Sequence, residues 1–196
     1  MKDTGLIFNH PNFKRVEENI WVINNFLLES ERQSYVEAAE SADENEWWSQ
    51  NTGWYDGKFL SIVNKPVFDV SLVVEERFAN LFKNKDKYTF GNPSSIHRIF
   101  PDQDMFVHAD FPELDNMNKD CVLFNAAIYH NEFDGGELFY PEIGVEYKPL
   151  PGDLVIHPGT TKYRHGVKKV LGNKIRYMSN TWVADELGLS IKVTGY

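Results

Sequence analysis

Only one cysteine, Cys121, occurs among the 196 residues. An internal disulfide is therefore excluded, and the lone thiol, with no apolar N-terminal run, argues for a reducing, cytoplasmic setting. No stretch approaches the ~18 consecutive apolar residues of a membrane helix, so no membrane partner is expected. Basic residues are in deficit, 20 Lys and Arg against 29 Asp and Glu. A formal net charge of −9 argues against nucleic-acid coating. Repeats of 20–50 residues are missing, as are Ser/Gly- or Pro-rich linkers, which predicts a single domain over residues 1–196. A chain of this size buries roughly 70% of its extended surface, so its core needs neither disulfide nor structural zinc.

What the chain does have is aromatic and apolar bulk, 14% and 42% of residues, too much for a disordered protein. The pattern changes near residue 87. Before that point Ile20 to Asn24 reads as a strand, and Ser30 is placed to cap a helix running to about Ala42. Leu72, Val73, Glu76, Ala79 and Phe82 outline an amphipathic helix from about Val67 to Lys83, with Pro66 at its first turn. Between the helices, residues 47–59 hold Trp47, Trp48, Trp54, Tyr55 and Phe59 broken by Gly53 and Gly57. That segment is expected to be a hairpin, either packed in the core or acting as a lid.

After residue 88 short β segments follow one another: 95–100, 105–109, 122–129, 137–139, 145–148, 153–157 and 175–183, punctuated by Asp134-Gly135-Gly136, Pro151-Gly152-Asp153 and Leu171-Gly172-Asn173. Such spacing predicts a mainly β sandwich or barrel supported by N-terminal helices.

His108-Ala109-Asp110 closes one of these segments. Side chains two apart on a strand share a face, so this imidazole and carboxylate could serve one metal ion, and a second imidazole would complete the face that leaves Fe(II) three open positions. His165 is available for that role. His130-Asn131-Glu132 is a rival of the same shape, while His10, His97, His130 and His157 are by default ordinary histidines satisfying hydrogen bonds. The run from Thr161 to Arg176 holds Lys162, Arg164, Lys168, Lys169 and Lys174 without an acid. It reads either as a solvated hairpin or as a positive patch that attracts a dianionic ligand or an acidic substrate.

In order, the chain presents His108-Ala-Asp110, Asp134-Gly-Gly-Glu-Leu-Phe-Tyr-Pro141, Pro149-Leu-Pro-Gly-Asp-Leu-Val-Ile156, His165-Gly-Val and Arg176-Tyr-Met-Ser-Asn-Thr-Trp182. This succession resembles the prolyl 4-hydroxylase-like branch of the Fe(II)- and 2-oxoglutarate-dependent dioxygenases, with a weaker echo at Val22 to Leu27. The resemblance implies a double-stranded β-helix, a cupin-like jelly roll, over about 88–185 with helical support over about 1–87. It also implies Fe(II) on His108, Asp110 and His165, with Arg176 and Tyr129 on the distal carboxylate of 2-oxoglutarate. Lys174 is the substitute for Arg176. Trp182, Arg164, Tyr163, Trp54 and Tyr55 are the expected substrate pocket.

The implied activity is hydroxylation of an unactivated C–H bond, a prolyl residue in a peptide or protein being favoured, with O2 consumed, succinate and CO2 released and ascorbate supportive. A free amino acid or small metabolite is the alternative substrate, and a silent metal-binding jelly roll the alternative function. The chain departs from the pattern in three places. Ile99 and Phe100 stand where many relatives carry a tyrosine, Arg176 lies one residue further from His165 than usual, and His157 replaces a common Phe.

Overall fold

The computed structural model describes residues 10–49, 58–112, 114 and 122–194. Strands β1 (Phe13–Glu17) and β2 (Ile20–Ile23) precede helix α1 (Glu29–Glu40), and β3 (Trp47–Ser49) and β4 (Lys58–Ser61) precede α2 (Val67–Ala79). The later strands are β5 (Thr89–Phe90), β6 (Ser95–Ile99), β7 (Met105–His108), β8 (Leu123–Tyr129), β9 (Asp134–Gly135), β10 (Leu138–Tyr140), β11 (Val145–Tyr147), β12 (Leu154–Pro158), β13 (His165–Val167), β14 (Val170–Leu171) and β15 (Arg176–Ala184). Helix α3 (Glu186–Thr194) follows.

The major sheet runs β1-β2-β12-β8-β15-β6-β4-β3 with β5 on β15; the minor sheet runs β11-β10-β13-β7, and β14 pairs with β9. The pairings are antiparallel and the sheets stay open, which is the expected mainly β jelly roll with helices on its N-terminal side. The boundary near residue 87 does not separate layers, because β1 to β4 all join the major sheet.

Alternation along the strands sorts the core into two layers. In β12, Leu154 and Ile156 pack under the helices with Tyr35, Val74 and Phe78. Their neighbour Val155 turns the other way, to Tyr129, Leu138 and Val167 between the two sheets. β6 does the same with Ile96 and Ile99. The inter-sheet layer is the one that borders the site described below.

Both helices differ in detail from expectation. The buried stripe of α2 is Val67, Ser71, Val74 and Phe78, whereas Leu72 and Val73 are 48% and 53% exposed. A polar residue lies on that stripe because the Ser71 hydroxyl meets the Phe68 carbonyl at 2.7 Å and Asn92 Oδ1 at 2.9 Å. The helix stops at Ala79, before the expected Lys83, while Leu81 and Phe82 stay buried beyond it. Helix α1 begins at Glu29, not after a Ser30 cap. Its start is held by Glu31, whose Oε2 accepts the Leu28 N–H at 2.8 Å and whose carboxylate takes the Arg77 guanidinium through two bonds of 2.5 and 2.7 Å. Arg77 also donates to the Phe26 carbonyl at 2.9 Å, so one ion pair joins α1, α2 and the chain entering α1. Helix α3 was not expected, although Asp185 signals it by accepting the Gly188 N–H at 2.7 Å.

Burial works against ionisation of Glu31, but Arg77 and the Leu28 N–H outweigh it and hold its carboxyl below the ordinary 4.5. Its stabilisation is therefore complete above pH 4.5 and lost as pH falls through that lowered value. Glu31→Ala should cost roughly 2 kcal/mol in urea melts at pH 7, with the deficit shrinking in the acid limb.

Candidate metal centre and cavity

β13 lies antiparallel to β7 with His165 opposite His108, and their rings are 4.6 Å apart. Asp110, two residues past His108, puts Oδ1 3.5 Å from His108 Nε2 and Oδ2 3.9 Å from His165 Nε2. One donor atom from each of the three lies within 4.8 Å of the others. Ring orientation comes from the backbone: His108 Nδ1 is 3.1 Å from the Phe106 carbonyl and His165 Nδ1 is 3.2 Å from the Tyr163 carbonyl. Nδ1–H donation to those carbonyls turns each Nε2 toward Asp110 and the position a metal would take.

The electrostatics fit a cation. Asp110 Oδ2 is buried with no hydrogen-bond partner among the described residues. Burial alone would raise this carboxyl, but His165, His108 and His157 outweigh it and hold it well below the usual range. Burial pushes His165 down to about 3, so it is a neutral donor. At His108 burial also pulls down, yet the hydrogen bond and charge of Asp110 prevail and the pKa is raised. A divalent ion satisfies the orphaned carboxylate oxygen and meets the donor set that Fe(II) takes in such sites.

The trio opens on a cavity of about 520 Å³ between the sheets. On its floor, β15 turns Arg176, Met178, Asn180 and Trp182 inward. Arg176 is 1% exposed, with its guanidinium carbon 5.0 Å from the Tyr129 ring and 5.4 Å from Phe133. Nη2 donates to the Tyr129 hydroxyl at 3.3 Å, while Nε and Nη1 have no partner among the described residues. Gly136 permits this packing, since it sits at φ +63° and a Cβ there would press to 3.0 Å from Phe133 and 3.3 Å from Arg176. Lys174 lies outside the cavity and pairs with Glu132 at 2.9 Å.

Of the expected pocket residues, Trp182 lines the cavity, packed so closely on Gly91 that a Cβ there would fall 2.3 Å from its indole nitrogen. Tyr163 and Arg164 are not among the lining residues. The Tyr163 ring enters the core, where its hydroxyl accepts from Asn19 at 2.8 Å, and Arg164 faces Glu142 at 3.6 Å. Trp54 and Tyr55 lie outside the described residues, as does Cys121. The hairpin that frames residues 50–57 pairs Trp48 with Phe59, and their rings stack 5.0 Å apart at the cavity edge. Trp47 instead joins the core with the Arg98 guanidinium 4.0 Å over its ring.

Two histidines read as ordinary line the cavity. His157 turns inward from β12, its ring 4.4 Å from that of His165. His97 faces inward beside Met178 and packs 4.0 Å from Phe59. Strand alternation with Val155 and Ile99 is the signal that could have placed both. Ile99 sits opposite Arg176, so the cavity wall there is apolar. His130 is a core residue, stacked on Tyr35 at 4.2 Å and bonded to Ser179 at 2.8 Å. The basic run is not a bare positive patch: Lys162 meets Glu18, Arg164 meets Glu142, Lys168 meets Glu146 and Lys174 meets Glu132.

No protein-family model matches the chain. A PKHD-type hydroxylase of Prochlorococcus marinus is 27% identical over 139 residues, and the match spans 62% of this chain and 62% of that protein's length. Among solved structures, the prolyl hydroxylase of Trichoplax adhaerens in complex with a hypoxia-inducible-factor peptide fragment superposes with a TM-score of 0.67 at 18% identity, over 96% of this chain and 91% of that one. The viral collagen prolyl hydroxylase of Paramecium bursaria Chlorella virus-1, with 2-oxoglutarate bound, gives 0.64 at 18% identity over 85% and 96%. The motif resemblance to the prolyl 4-hydroxylase-like oxygenases is thus borne out, and the fold is that of those solved hydroxylases.

Co(II) titration followed by ligand-field absorbance should show one tight site, lost in His108→Ala and Asp110→Ala. The metal must displace the His108 proton, whose pKa lies above 6.5. Apparent affinity should therefore hold above that raised pKa and fall about tenfold per pH unit below it.

Proposed function

We propose that the chain is an Fe(II)- and 2-oxoglutarate-dependent dioxygenase that hydroxylates an unactivated C–H bond, with a prolyl residue of a peptide or protein as the favoured target. One observation carries the reading: a metal-ligating trio and a buried guanidinium with two unpaired nitrogens line the same cavity. An iron centre explains the first, and a small dianion able to reach from metal to guanidinium explains the second.

Fe(II) with 2-oxoglutarate would supply O2 activation, releasing succinate and CO2 and delivering a hydroxyl group. His108, Asp110 and His165 would hold the metal on one face, each ring aimed by its backbone carbonyl. Asp110 would supply the carboxylate ligand that a halide would have to replace, which favours hydroxylation over halogenation. Arg176 would accept the distal carboxylate as a planar fork, with the Tyr129 phenol beside it. Ile99, Met178, Leu138 and Val167 line the cavity around these polar groups and keep that end apolar, which strengthens the ionic contact and excludes water.

The purified protein with Fe(II), ascorbate and 2-oxoglutarate should form succinate, and a hydroxylated peptide should gain the mass of one oxygen atom. Arg176→Ala should raise the KM for 2-oxoglutarate about 100-fold, the equivalent of about 3 kcal/mol of charge-assisted bonding. Lys174→Ala should change it less than twofold, because that ammonium is exposed and paired with Glu132. Equal effects of the two substitutions would overturn the placement of the cosubstrate, and absence of succinate would overturn the activity.

A further inference from the structure

The cavity has two ends, and only one is taken up by the proposed cosubstrate. Register across the floor sets Met178 opposite Tyr129, Asn180 opposite Ala127 and Trp182 opposite Asn125, which in turn faces His157 on β12. Arg176 and Tyr129 therefore close one end, and Asn125, Asn180 and Trp182 form the other. Asn125 and Asn180 are diagonal neighbours on adjacent strands, about 7–8 Å apart. Neither carboxamide has a hydrogen-bond partner among the described residues. Each offers two donors and one acceptor oxygen toward the cavity.

Charge is missing from this end. Among the described residues, the ionised groups lining the cavity belong to the metal trio and to Arg176. The nearby His97 is pushed down to about 3 by burial and by Arg176, so it adds no positive charge. A free amino acid would bring a carboxylate and an ammonium into this space with no counter-charge for either. An amide group is neutral, accepts from one carboxamide through its carbonyl and, when secondary, donates to the other. The Trp182 indole supplies an apolar wall beside it.

We propose, building on the dioxygenase reading above, that Asn125 and Asn180 are the specificity-determining pair of this site: they read a neutral amide flanking the hydroxylated carbon, so an acylated and amidated residue is accepted and the free amino acid is rejected. The recognition belongs to the backbone on either side of the target and is separate from the side chain that is oxidised.

The test uses the twenty amino acids in two forms, free and N-acetylated C-amidated, each added to the full-length protein with Fe(II), ascorbate and 2-oxoglutarate. The reading is succinate formed above the uncoupled rate without substrate. Stimulation should come from members of the blocked series. For the best of them, Asn125→Ala and Asn180→Ala should each raise KM about tenfold while lowering kcat by less than threefold, and Asn180→Asp should not restore the KM. Three outcomes overturn the pair's role: stimulation by free amino acids equal to that by blocked ones, no stimulation by either series with uncoupled succinate intact, or an unchanged KM in both alanine variants. Absence of uncoupled succinate as well would instead overturn the dioxygenase reading on which the inference rests.

Discussion

A charge buried without its full set of partners is costly in a protein interior, and this cavity holds two of opposite sign. Among the described residues, one Asp110 oxygen beneath the imidazoles and two Arg176 guanidinium nitrogens between Tyr129 and Phe133 have no hydrogen-bond partner. Each state persists because the surrounding strands over-determine the side-chain positions, not because the groups satisfy each other. The trio belongs to the minor sheet and the segment that follows β7, whereas Arg176 belongs to the major sheet. Their relative placement is therefore set by the apolar layer between the sheets, where Tyr129, Leu138, Val155 and Val167 meet. A change in the packing of that layer would move the His108–Asp110–His165 trio and the guanidinium relative to one another without touching either.

The helices contribute at one remove. Tyr35, Val74 and Phe78 pack on the far side of the major sheet, against residues that alternate with those of the cavity floor. The Glu31–Arg77 pair locks α1 to α2 and so keeps that backing layer in one arrangement. On the outer surface Lys162, Arg164, Lys168 and Lys174 are drawn to glutamates from other parts of the chain, whereas Arg176 faces the cavity. The proposed hold of this guanidinium on a carboxylate would thus come from burial and from its aromatic walls, with little help from a long-range field.

Much of the fold and the metal site is legible in the residues themselves. A His-x-Asp at the end of a strand shares a face by the period of two, and turn motifs in a set order pointed to a jelly roll that the structure bears out. The helix faces were less legible: Leu72 and Val73 look like core by composition, yet the stripe chosen is Val67, Ser71, Val74 and Phe78. A hydroxyl on that stripe is acceptable only because Asn92 and a carbonyl stand ready for it, and sequence periodicity carries no such information. Tyr163 shows the same limit, since a phenol beside a metal ligand reads as pocket until Asn19, far away in sequence, draws it into the core.

What the sequence alone determined is local: which side chains share a strand face, where turns must fall, and which residue types can ligate iron. Only the tertiary structure decided that Arg176 is buried while Lys174 is paired at the surface, and that glutamates from other segments pair with Lys162, Arg164 and Lys168 as well. It also decided that two unpartnered asparagines share the far end of the floor. The physical reason is that these outcomes depend on cross-strand register and on contacts between residues remote in sequence, whereas face and turn preferences act within a few residues of the chain.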